Sequence, residues 1–343
     1  MKKILLINLT LFIILYIILE ILTGSLIYSH KLDCHYLQCD RTFIYKNDLT
    51  DNKKVIYQRD EYGFRGPQNT LDKIDLLIVG GSTTDQKFIN LNDTWPKLIE
   101  KKFKEIGKNI NVVNAGKGGQ STNGHIWNFS NWFNKIENFK TKYIIFFIGI
   151  NDIKLKTYKK INNYDHEKQK QKTVLGKLHN LLKDNNGVTY KLFILLQDTI
   201  YPQNIETFEY KIINQKNYQI IKKKIIFENE QKKYLINNLE ELVRLTRKIK
   251  AIPILITQKS LRGNIMDLNT VSIDEFDYYH AELEVAKIII NFCKKNNIFC
   301  IDLHQEIKFE YDDFYDLVHT NKKGTKKIAN FIFSKLKSNN LNF

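Results

Sequence analysis

The chain has 343 residues, 43% of them hydrophobic, with only 4 Pro and 15 Gly, which is enough apolar material for a sizeable core and excludes a disordered or linker-like polypeptide. Its 53 Lys and Arg against 37 Asp and Glu leave a formal charge of +16, which favours anionic neighbours. The lysines are spread along the chain among Asn and Ile, with no arginine-rich or aromatic-basic motif, so no nucleic-acid partner is expected.

In chain order, Met1-Lys2-Lys3 precedes a run from Ile4 to Leu19 that is apolar but for Asn8 and Thr10, and the run resumes past Glu20 to about Tyr28. A bilayer span needs about 20 residues, whereas the apolar part of a signal peptide usually has roughly 7 to 15. Residues 1–29 are therefore expected to be an uncleaved membrane anchor, with a cleaved signal as the alternative. The two lysines would stay in the cytoplasm, the rest of the chain would emerge on the other side, and Glu20 would lie toward the far interface, where a carboxylate reaches water.

Residues 30–70 read as an irregular, surface-lying lead-in. From there the pattern alternates. A strand over 74–79 leads to Ser82, and a helix near 93–106 opens on the cap candidates Asn92, Asp93 and Thr94 with Pro96 in its first turn. A strand over 110–114 leads to Gly119, and one over 143–148 to Asn151. The stretch 154–227, rich in Lys, Asn and Tyr, reads as an insertion. A helix over 228–249, a strand over 252–257, a helix over 280–296, a strand over 298–302 and a last helix over 322–337 complete the chain. Continuous apolar strands alternating with helices imply a parallel sheet covered on both faces, and such sheets bind ligands beyond the carboxyl ends of their strands.

Several candidates for chemistry lie at those ends. Ser82 follows a small-residue turn and is the candidate nucleophile; His319 is the candidate base and Asp316, three residues before it, the carboxylate that would fix its tautomer. The backbone of Ser82 and Gly119 and the side-chain amide of Asn151 are candidate donors to an oxyanion. Asp152 reads as a loop-shaping residue, His125 as a helix-surface residue, Lys154, Lys156, Lys159 and Lys160 as a solvated charge run, and Trp95 and Trp127 as core. Cys34 with Cys39, and Cys293 with Cys300, are spaced for two local disulfides in an oxidising compartment. Their spacing to histidines does not suit a metal, and no zinc is expected.

Four blocks carry a resemblance. Gly80-Gly81-Ser82-Thr83-Thr84, Asn114 to Gly119, Gly149-Ile150-Asn151-Asp152 and Asp316-Leu317-Val318-His319 are similar, in the same order, to the four blocks of the SGNH/GDSL hydrolase superfamily. The likeness runs from about Tyr57 to Leu336 and includes Asp60-Glu-Tyr-Gly-Phe-Arg-Gly66, which looks like the lead-in of many bacterial members. Gly119 is matched to the family's glycine through the Gln120 and Ser121 that follow it. Gly81 departs from the pattern, since the motif that names the family has Asp there. The resemblance implies a flavodoxin-like three-layer α/β/α sandwich with a five-stranded parallel sheet over residues 71–340. It also implies a serine esterase that works through an acyl-enzyme and needs no metal or organic cofactor. Outside the membrane, its substrate would be an O-acylated polysaccharide or a lipid ester. The alternatives are an O-acyltransferase acting on envelope polysaccharide and a catalytically silent glycan-binding protein of the same fold.

Overall fold

The structure, a computed structural model, describes residues 2–24, 32, 34–46, 54–67, 70–154, 187–200, 229–261, 273–339, 341 and 343. Its sheet consists of β3 (Ile74–Gly80), β4 (Val112–Gly116), β5 (Thr141–Ile148), β6 (Ile252–Thr257) and β7 (Cys300–Ile301), all parallel, in the order β4-β3-β5-β6-β7. Side chains alternate between the two faces of a strand, and here both faces are apolar. Leu76 and Ile78 of β3 and Tyr143, Ile145 and Phe147 of β5 pack with α4 (Trp95–Glu105) and α10 (Lys322–Ser338). Leu77, Val79, Ile144, Phe146 and Ile148 point the other way, into a core shared with α5 (Thr122–Asn131), α7 (Asn229–Lys248) and α8 (Ile273–Asn296). Helices thus cover the parallel sheet on both sides, the three-layer sandwich expected from the alternating elements.

Most boundaries fall within a few residues of those expected. The exceptions are α8, which begins at Ile273 rather than near 280, and β7, which is reduced to two residues and followed by the single-turn helix α9 (Leu303–Glu306). Of the insertion, the helix α6 (Val188–Ile200) is described; residues 155–186 and 201–228, with Lys156, Lys159 and Lys160, lie outside the described residues. Cys34 in the short helix α2 (Cys34–Leu37) is bonded to Cys39, and Cys293 to Cys300, with Cα atoms 4.8 and 6.2 Å apart. The first helix, α1 (Lys2–Thr23), is long and apolar enough to cross a membrane, and none of its apolar window is buried.

The lead-in differs from its expectation as irregular surface chain. Strands β1 (Arg41–Lys46) and β2 (Lys54–Arg59) pair antiparallel from Arg41 opposite Arg59 to Lys46 opposite Lys54. Val55, Tyr57 and Arg59 alternate inward. The period of two was hidden because one inward position is an arginine, a residue rarely buried unless paired. Here it is paired: Arg59 donates to the Asp85 carboxylate at 2.8 Å and to the Gly116 carbonyl at 2.6 Å.

Candidate active site

β3 ends at Gly80, and the chain turns through Gly81 into the single-turn helix α3 (Ser82–Asp85), which lifts the Ser82 hydroxyl off the carboxyl edge of the sheet. Any Cβ on residue 81 would stand 2.5 Å from Asn151 Nδ2 and 3.3 Å from the Gln120 carbonyl oxygen. A glycine at this point lets the neighbouring turns close on the serine, which is a local reason for the departure at Gly81.

The histidine arrives from the other end of the chain. An antiparallel bridge between Phe314 and Thr320 closes the loop that carries it, and Asn321 then caps α10 by accepting from the backbone N–H groups of Lys323 and Gly324. His319 Nε2 lies 2.7 Å from Ser82 Oγ, and its Nδ1 lies 2.7 Å from Asp316 Oδ2. The other Asp316 oxygen accepts from the backbone N–H of Val318 at 2.8 Å and of His319 at 2.7 Å. Burial alone would raise the Asp316 pKa, but the hydrogen bond and charge of His319 and these two N–H groups outweigh it and hold the carboxyl below its usual value. The Tyr315 ring stacks on His319 at 5.6 Å with the planes 8° apart, so the imidazole is fixed by its face as well as its nitrogens.

Past β4, Gly119 has φ +78°, a conformation that L residues with a Cβ adopt at a cost. Among the described residues, no atom apart from its chain neighbours lies within 4 Å of a Cβ built there, so backbone conformation, not crowding, calls for the glycine. Asn151 donates one side-chain N–H to the Gln120 carbonyl at 2.8 Å, which leaves its second N–H to be placed. Among the described residues, no acceptor takes the backbone N–H of Ser82 or of Gly119. The five candidates therefore come from four separate connections at one edge of the sheet. Chemically, a serine, imidazole and carboxylate bonded in this order can move one proton off a hydroxyl.

A shell of polar residues that the sequence did not single out supports these turns. Gln258, just past β6, donates to Thr83 Oγ1 at 2.8 Å and to the Phe147 carbonyl at 2.9 Å, and accepts from the Ile150 N–H at 3.0 Å. It thereby joins the serine turn to the Asn151 turn. Gln120 is held by Asn128, with bonds of 2.8 and 3.0 Å in the two directions. Asp85 at the end of α3 accepts from Tyr57 and Arg59, so the hairpin is fastened beneath the nucleophile. Gln86 reaches Thr325 Oγ1 on α10 at 2.7 Å. Except for Gln120 and Asn128, eight residues apart, these partners are distant in sequence, and no local pattern marks them.

His125 is not a helix-surface residue: it is 1% exposed, its Nδ1 faces Gln120 Oε1 at 3.2 Å, and burial depresses its pKa to about 3. The helix face that carries it turns toward the core at Gln120 and Asn128. Trp95 is core as expected, donating its indole N–H to the Thr83 carbonyl at 3.0 Å; Trp127 is partly buried against Tyr36, 4.9 Å between centroids. Among the described residues, Glu310, Asp312 and Asp313 come close enough to share a cation. However, Lys323 lies 2.6 and 2.8 Å from the first two and Lys327 lies 2.6 Å from the third, so the protein supplies its own counter-charges.

Asp152 shapes its loop by accepting from the N–H of Thr122 at 3.1 Å and its hydroxyl at 2.7 Å, while its other oxygen is buried with no partner among the described residues. Burial raises its pKa to about 6 from 3.8. A carboxyl whose folded pKa is raised favours the fold when protonated: the contribution is full below about pH 4 and is lost as pH rises through about 6. Asp152→Asn abolishes that titration. The stability difference between wild type and variant is expected to move against wild type by about 2 kcal/mol between pH 4 and pH 8, as read by denaturant unfolding at both pH values. A difference that does not change with pH contradicts the buried-carboxyl account.

The model of the GDSL-like lipase/acylhydrolase family matches residues 78–327. No curated protein sequence matches the chain at a significant level. Among solved structures, it is similar to a lipolytic G-D-S-L protein from Veillonella parvula, at 15% identity over 76% of this chain and 97% of that one, with a TM-score of 0.43. It is also similar to a catalytic mutant of the acetylxylan esterase Axe2 from Geobacillus stearothermophilus (15% identity, 77% and 94% covered, TM-score 0.44). A third similar structure is the psychrotrophic esterase EstA from a Pseudoalteromonas species (12%, 77% and 97%, 0.42). The matched span contains all four motif blocks and every strand of the parallel sheet but the first four residues of β3, and on that ground the chain belongs to the GDSL-like lipase/acylhydrolase family of ester-hydrolysing enzymes.

Proposed function

We propose that the protein is a membrane-anchored serine esterase whose catalytic domain lies outside the cytoplasm and cleaves the ester of an O-acylated envelope polysaccharide or a lipid. Ser82 Oγ attacks the ester carbonyl carbon as His319 Nε2 takes the hydroxyl proton. The backbone N–H groups of Ser82 and Gly119 and the free amide N–H of Asn151 receive the oxyanion. His319 then hands its proton to the departing alcohol, and the acyl group stays on Ser82 until His319 deprotonates a water to release it. Asp316 keeps the proton of the resting imidazole on Nδ1 and stabilises the imidazolium. The observation that carries the reading is the unbroken chain from Ser82 Oγ through both ring nitrogens of His319 to Asp316, with 2.7 Å at each step.

Two features support the location. The apolar run of α1 follows Lys2 and Lys3 in its first turn, which favours a cytoplasmic start, and all four cysteines are paired, as suits an oxidising compartment. The test is fluorophosphonate labelling of the full-length protein together with hydrolysis of a panel of acetyl and longer-chain esters, with and without sugar acceptors. Covalent labelling at Ser82 with release of free acid is the expected result. Acyl transfer to the sugar without free acid would make the protein a transferase, and absence of both labelling and turnover would leave only a binding protein.

Asn151→Ala is expected to lower kcat by on the order of 100-fold or more, with a much smaller effect on KM, because its donor acts on charge that develops in the transition state. Steady-state kinetics on a turned-over ester checks this. A variant altered in KM alone would remove Asn151 from the oxyanion site.

A further inference from the structure

Among the described residues, the stretch read as an insertion contributes the helix α6, whose position is tied to α1. Glu20 Oε2 accepts from the Thr189 backbone N–H at 3.1 Å and from its hydroxyl at 2.8 Å, Thr23 Oγ1 accepts from the Val188 N–H at 3.1 Å, and the Tyr16 hydroxyl bonds Thr189 Oγ1. Tyr16, Glu20 and Thr23 are spaced along one face of α1, so the first turn of α6 is docked on that face. At about 1.5 Å per residue, the 22 residues of α1 reach about 33 Å, close to the roughly 30 Å of a bilayer's hydrocarbon core. Glu20 and Tyr16 stand about 5 and 10 Å back from the Thr23 end. If α1 spans, α6 therefore starts at or below the level of the interface, not above it.

The chemistry of the contact agrees with that depth. A carboxylate within a bilayer is costly unless it is paired, and so are the N–H groups of a helix's first turn. Here each satisfies the other. Past that turn the run Leu192 to Leu196 is apolar, before Gln197 and Asp198 at the far end of α6: Leu192 is 52% and Leu196 58% exposed, on the face of Thr189, with Phe193 and Leu195 exposed beside them. Its 13 residues are too few to span a bilayer, and the exposure of Leu192, Phe193, Leu195 and Leu196 is not that of a buried core helix, which favours the interfacial class. Tyr190, beside Thr189 in the docked turn, receives the Arg41 guanidinium over its ring at 5.1 Å. That contact joins α6 to β1, and the β1–β2 hairpin is in turn bonded to Asp85 at the end of the serine helix.

We propose that α6 is a second membrane-contacting helix, which lays the face carrying Leu192 and Leu196 into the lipid leaflet beside the Thr23 end of α1 and so holds the catalytic sheet at a fixed height on the bilayer. The inference rests on the reading of α1 as an anchor. Its partner is the lipid surface itself, and its consequence is that the hydrolase is not a domain swinging freely on a tether but one seated against the membrane through the hairpin beneath Ser82.

The test uses the full-length protein in phosphatidylcholine–phosphatidylglycerol vesicles, with Leu192→Trp and Leu196→Trp made singly and the signal of the 3 native tryptophans subtracted. The added emission is expected to shift to the blue and to fall severalfold when the lipids carry bromine in mid-chain, while aqueous iodide leaves it unchanged. Emission quenched by iodide, or by neither quencher, would overturn the inference by placing α6 in water or under protein. A high-salt wash separates the two readings, since apolar insertion is not screened by ions. Protein that stays on the vesicles yet fails the quenching test removes α6 alone. Protein washed off by salt removes the anchor and the inference with it.

Discussion

Ser82→Ala is expected to abolish fluorophosphonate labelling and to lower ester turnover by on the order of a million-fold, the scale seen when a serine nucleophile is removed from a hydrogen-bonded relay. Nothing else in the arrangement can replace it. Thr83 Oγ1 accepts from Gln258 Nε2 at 2.8 Å, and Thr84 is fully buried. The fold should not respond. The Ser82 hydroxyl has one contact to lose, to His319 Nε2, worth about 1 kcal/mol, and its backbone position at the start of α3 suits alanine. Labelling that persists at another serine, or a variant that loses its cooperative unfolding along with activity, would undo the assignment.

Asp316→Asn should be nearly as damaging, with a loss on the order of ten-thousand-fold in kcat and little change in KM. The reason lies in how the carboxylate is held. Asp316 Oδ1 accepts two backbone N–H groups, from Val318 and His319, and an asparagine keeps those bonds by leaving its carbonyl oxygen there. Its NH2 group must then face His319 Nδ1, where Asp316 Oδ2 now stands 2.7 Å away. An imidazole whose Nδ1 is forced to accept carries its proton on Nε2, and Nε2 is the atom that must take the proton of Ser82. The loop keeps its shape while the base is in the wrong tautomer. Kinetics beside an unfolding curve of unchanged midpoint is the check, and a loss of less than about tenfold would mean that the carboxylate serves only the loop.

Much of the site was legible because each of its turns follows a strand. Ser82 and Asn151 stand just past β3 and β5, which end at Gly80 and Ile148, and Gly119 shortly past β4, which ends at Gly116. An apolar run that stops at glycines followed by a hydroxyl or amide can be seen without knowing what packs on it. Asp316 and His319 were legible as a pair because one loop holds both, three residues apart. What could not be read are the groups that hold those turns in place. Gln258 meets Thr83 from 175 residues away and Gln86 meets Thr325 from 239; a lone glutamine after a strand looks the same whether or not it has such a partner.

The same division explains the two misreadings. His125 sits where a polar helix face would be, and only the side chains of Gln120 and Asn128 turn that face into a buried one. Arg59 breaks the apolar rhythm of β2, and only Asp85 and the Gly116 carbonyl make its burial affordable.

By itself, then, the sequence determined the alternation of strands and helices, the length and apolar character of α1, and the identities of the serine, glycine, asparagine, aspartate and histidine, because these depend on periodicity and on residues close in the chain. The tertiary structure decided that the five candidates meet at one edge of the sheet, that a hairpin with a buried arginine lies beneath the serine, and that α6 docks on Glu20. Those outcomes depend on pairing polar groups across the fold, and a polar group's partner is set by where the packed elements bring it, not by its neighbours in the chain.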